Sequence, residues 1–87
     1  MKSLERIGEF KRLWTALIPS LNCPPDAQIL RWASRFSDFA LEYAVNRLAA
    51  KVRRNQIATE DEAGRYVTGV LLNEERRLAG SGAQAHV

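Results

Sequence analysis

Cysteine and histidine each occur once in this sequence of 87 residues, and that scarcity removes most site chemistry at the outset. One thiol cannot close a disulfide within the chain, so the fold must rest on its apolar core. Nucleophilic catalysis would require Cys23 and His86 to meet, yet His86 lies in the small, polar segment that follows Gly80. A four-ligand metal site needs more imidazole, thiolate or spaced carboxylate than this. Gly80-Ser81-Gly82 has no Lys-Ser/Thr behind it, so no phosphate-cradling loop is present. No catalytic residue, metal ligand or cofactor is therefore expected, and an enzyme is not. Long apolar runs are missing too. The longest uncharged stretch begins at Leu13, stops before Asp26 and contains Pro19, Pro24 and Pro25, which rules it out as a spanning helix of about 20 residues. Lys2, Glu5, Arg6, Glu9, Lys11 and Arg12 precede any apolar run, unlike a secretory leader. The expected setting is the cytoplasm, without membrane contact.

What the sequence does contain is 46% hydrophobic and 26% charged residues, with only 8% aromatic, the composition of one small globular unit. A chain this short leaves roughly 40% of its unfolded-state surface exposed, which makes its stability marginal and its association with a partner plausible. The net charge of +3 is unevenly spread. Residues 25–55 carry six bases (Arg31, Arg35, Arg47, Lys51, Arg53, Arg54) against three acids, whereas residues 56–87 carry three bases against five acids. A basic middle facing an acidic end suits phosphate binding or attraction between the two segments.

Leu4, Ile7, Phe10, Leu13, Trp14, Leu17, Ile18 and Leu21 recur at steps of three and four, which predicts a first helix from about Ser3, its N-cap, to Ile18, stopped by Pro19. Pro25 and Asp26 suit the first turn of a second helix reaching about Phe36. Ser37-Asp38 reads as the cap of a third, running to about Arg54. At about 100° per residue, Leu41, Val45, Leu48 and Val52 fall on one side of this helix and Phe39 and Tyr43 nearly opposite, so it is expected to be central and sandwiched on two faces. Thr59 and Glu62 form a capping box that starts a fourth helix ending near Leu78, with Ala63, Val67, Val70 and Leu71 inward. The fold class is all-α, a bundle of four helices over residues 1–79, with a flexible tail at 80–87.

Three details of the fourth helix bear on function. Gly64 and Gly69 each cost about 1 kcal/mol against alanine in a helix, and close packing is the expected reason. Glu74 interrupts the apolar face, either because the helix protrudes past the core there, as we expect, or because an arginine such as Arg47 or Arg54 meets it. Tyr66 and Leu72 offer a contact patch for another chain, with Glu74 beside them. On the third helix, Arg47, Lys51 and Arg54 share a margin and Arg53 lies near it. These four are the candidate DNA contacts, by non-specific neutralisation of phosphates. Tyr43 beside them can stack on a base. A sequence-reading helix-turn-helix fits less well, since Asp38 and Glu42 would meet the phosphates first.

Tyr66-Val67-Thr68-Gly69-Val70-Leu71, preceded by Ala44-Val45 and the polar Asn55-Gln56 loop, resembles the tyrosine-centred motif of the helical C-terminal domain of DnaD-like replication proteins. The likeness covers about Trp32 to Glu74, and the motif's terminal tryptophan is replaced by Glu74. It implies structural roles for Tyr66, Val70 and Leu71, DNA contact near Arg47 to Arg54, and a non-catalytic adaptor of replication or mobile-element machinery. The alternative is a protein-docking or dimerisation module with no nucleic-acid role.

Overall fold

A computed structural model describes the backbone of residues 3–84 and the side chains of residues 4–77. Four helices follow one another: α1 (Ser3–Leu17), α2 (Asp26–Arg35), α3 (Asp38–Arg53) and α4 (Glu60–Gln84). No strand occurs among the described residues. The local stops and starts follow from residue chemistry. Ser37 Oγ accepts the Ala40 amide at 3.1 Å and caps α3. Thr59 Oγ1 accepts the Glu62 amide at 3.2 Å and caps α4, while its hydroxyl donates to the Glu62 carboxylate at 3.0 Å, so that carboxylate is engaged by the Thr59 hydroxyl where the expected capping box has it reach the Thr59 amide. At the other end of α3, Asn55 takes a left-handed φ of 58°, and the amides of Asn55 and Gln56 bond back to the Val52 and Lys51 carbonyls, a Schellman closure. Asparagine is one of the few residues that tolerates this backbone.

The core gathers Ile7, Phe10, Trp14 and Ile18 of α1 and its exit, Ile29, Trp32 and Ala33 of α2, a broad stripe of α3, and Ala63, Val67 and Leu71 of α4. Phe10 sits between two indoles, 5.9 Å from Trp14 and 5.8 Å from Trp32, a spacing that favours tilted aromatic pairs. The Trp14 Nε1–H donates to the Leu21 carbonyl at 3.0 Å and so pins the loop that Pro19 begins.

Helix α3 is central, because it packs against each of the other three. It does so through one wide face, not two. Ala40, Leu41, Ala44, Val45, Leu48 and Ala49 are buried, while Phe39 is 73% exposed and Tyr43 37% exposed. The expected sandwich fails because alanines supply half of the inward positions. Their short side chains let neighbouring helices approach closely, and the aromatics are left outside. Two other expectations also change. Nothing lies within 4 Å of where a Cβ would stand on Gly64 or Gly69, so close packing does not account for either glycine. Helix α4 continues past Leu78 to Gln84, and the tail expected at 80–87 lies outside the residues whose side chains are described.

Candidate functional site

The cationic margin of α3 is built by the same periodicity that buries its alanines. At about 100° per residue, Arg47, Lys51 and Arg54 fall within about 60° of one another, and Arg53 is turned about 120° from Arg47. Arg47, Arg53 and Arg54 are exposed and Lys51 is half-buried. Three of the four candidates thus share a surface, and Arg53 faces another way.

Five ion pairs link the described side chains: Arg6 with Asp38, Lys11 with Asp26, Arg35 with Glu75, Arg65 with Asp61 and Arg77 with Glu74. None uses Arg47, Lys51, Arg53 or Arg54. The margin therefore presents positive charge that no described carboxylate neutralises. Arg47 is held by tyrosines instead. Its guanidinium donates to the Tyr43 hydroxyl at 3.3 Å and lies 5.7 Å above that ring. Hydrogen bonding to Tyr66 first, and to Tyr43 second, holds the Arg47 proton even more firmly than usual. Such contacts orient a side chain that is already permanently charged.

The interaction candidates of α4 are placed less openly. Tyr66 is half-buried and packed against the core, and Leu72 is half-buried. Glu74 does not protrude: it is 8% exposed, and its partner is Arg77, one turn on, instead of Arg47 or Arg54. Arg77 Nε also donates to its second oxygen at 3.3 Å. That fork lowers the carboxyl's affinity for a proton against the opposing effect of burial. The i, i+3 spacing of Glu74 and Arg77 was the available sequence signal. Phe39 stands at the surface because Ala40, Ala44 and Ala49 take inward positions that a count of large apolar side chains overlooks. Arg6, bonded to Asp38 and to the carbonyls at the end of α2, has no counterpart signal in the sequence.

A groove of about 680 Å³ lies elsewhere, between the α1–α2 loop, α2 and the start of α4, bordered by Trp14, Cys23, Trp32, Gly64 and Arg65 among others. Partial burial raises the Cys23 pKa. Among the described residues no three His, Cys, Asp or Glu side chains group as metal ligands, and no helix is long and apolar enough to cross a membrane. No family model matches the chain, and neither a curated protein nor a solved structure does so at a significant level.

Proposed function

We propose that the protein is a non-catalytic helical adaptor that associates with DNA through phosphate contacts along α3. The carrying observation is the row of Arg47, Lys51 and Arg54, charged and without a carboxylate partner among the described residues. Unpaired cations on a rigid helix neutralise phosphates and release counterions, a sequence-independent attraction. The likeness of the Tyr66 to Leu71 segment to the DnaD-like motif supports a place in replication or mobile-element machinery.

Three phosphate contacts predict that affinity for duplex DNA falls about 40-fold between about 50 and 200 mM salt. Fluorescence anisotropy with a labelled oligonucleotide measures this directly, and replacing Arg47, Lys51 and Arg54 together with glutamate is expected to abolish binding. Undiminished binding by that triple variant removes the margin from the mechanism. A second reading, docking of a protein partner or a second copy, is favoured by the large apolar side chains in water, Leu4, Leu30 and Phe39. It predicts an apparent mass and melting temperature that rise with protein concentration.

A further inference from the structure

We infer that the α3 face selects single-stranded over duplex DNA, with Phe39 and Tyr43 as stacking positions for unpaired bases that lead into the cationic row. The inference rests on the phosphate-binding reading above and adds to it the class of strand. Phe39, Tyr43 and Arg47 follow one another at four-residue steps, each advancing about 6 Å along the helix axis and turning about 40° around it, so the row winds over the surface: Phe39 stands about 80° from Arg47 and about 40° from Arg53. From Phe39 to Arg54 the row spans about 22 Å, room for several nucleotides of an extended strand.

Its two ends have different chemistry. Phe39 is 73% exposed and makes none of the described aromatic or cation–π pairings, so its ring face is open to a ligand. Tyr43 is 37% exposed and already carries the Arg47 guanidinium over its ring, an arrangement that places a planar cation beside a stacking platform. Beyond them the charge is positive and uncompensated, complementary to a phosphate backbone. Bases inside a duplex are stacked on each other and offer no free face to a convex helix. Only an unpaired strand uses both the rings and the cations.

The test compares three fluorescent probes: an oligothymidylate of about 15 nucleotides, an abasic strand of the same length and charge, and a duplex, whose charge density is higher. Wild-type protein is expected to bind the oligothymidylate about ten-fold or more tighter than the abasic strand and tighter than the duplex, and a duplex bound as tightly as the oligothymidylate overturns the strand selection. Phe39→Ala with Tyr43→Ala is expected to bring the two affinities together, the oligothymidylate losing more than the abasic strand, which loses only what the released Arg47 contributes, whereas Tyr43→Phe retains the preference. Phe39→Ala alone, at a site without core contacts, is expected to cost at least about three-fold for oligothymidylate and carries the test if the double variant melts early. Equal, salt-sensitive binding of all three probes overturns the inference and leaves the phosphate reading standing. Absence of binding to every probe overturns both. A concentration-dependent dimer that Phe39→Ala dissolves, with no preference for bases, assigns the rings to a second copy and also overturns the inference.

Discussion

Truncating Arg6 to alanine isolates the contact that fixes the α2–α3 corner. From α1, this one guanidinium donates to the Asp38 carboxylate at 2.6 Å, to the Phe36 carbonyl at 2.9 Å and to the Ala33 carbonyl. The two carbonyls belong to the end of α2, where helical geometry leaves the last acceptors without partners. Asp38 is the first residue of α3. The side chain thus ties three helices, and it is only 21% exposed whereas Asp38 is 61% exposed. A charged donor on a carbonyl contributes about 1.5–3 kcal/mol when well shielded, and partial access of water reduces each bond here to about 1 kcal/mol. The exposed ion pair adds about 0–1 kcal/mol. Arg6→Ala is therefore expected to cost about 2–3 kcal/mol, a fall of roughly 10–20 °C in Tm for a domain of this size. Urea titration followed by circular dichroism reads the loss as a lower midpoint at unchanged slope. Asp38→Asn should cost no more than about 1 kcal/mol, and Arg6→Lys should recover less than half of the loss, since an ammonium lacks the fork that reaches several acceptors. An Arg6→Ala variant within about 0.5 kcal/mol of the parent would refute the clamp.

Gly69→Ala is expected to stabilise the protein by about 1 kcal/mol, because the site is a helix interior with open space around it, and a lower melting temperature would show a hidden contact. Gly64→Ala should gain the same backbone benefit while narrowing the groove it borders. The Glu74 and Glu75 carboxyls are held below their ordinary value of 4.5, chiefly by hydrogen bonds from Arg77 and Arg35 respectively. A depressed folded-state pKa gives stability that is complete above 4.5 and lost as pH falls through the lower folded values. Scans of Tm between neutral pH and about pH 2.5 should therefore show an acid limb that flattens when both residues become glutamine, and an unchanged limb would locate acid sensitivity elsewhere.

Interactions between near neighbours were legible in the sequence. Ser37 with Ala40 and Thr59 with Glu62 span three residues, and Pro19 and the Pro24-Pro25 pair act on the backbone next to them, so helix boundaries came out within a residue or two until Leu78. Interactions set by the third dimension were not. Arg6 and Phe36 are 30 residues apart, and nothing in the periodicity of α1 marks a largely buried arginine as the cap of another helix. A carboxylate on an apolar face suggests protrusion at Glu74, whereas Arg77, one turn away, supplies its partner. General preference assigns Gly64 and Gly69 to packing, and open space around both leaves them unexplained by the fold.

The exposure of Phe39 and Tyr43 bears most on function. An apolar moment weighted towards large side chains sets the two rings against a second core, and that assignment leaves the wet rim of α3 purely cationic. Once Ala40, Ala44 and Ala49 are recognised as the inward positions, the rings move to solvent, and the rim becomes a row of aromatic then basic side chains. A purely cationic rim attracts any polyanion with an affinity set by charge and salt alone. An exposed ring beside it discriminates, because stacking is gained only from ligands with an accessible π face. Base dependence of binding, measured against an abasic strand of identical charge, is therefore the quantity that separates the observed arrangement of α3 from the one its large apolar residues suggest.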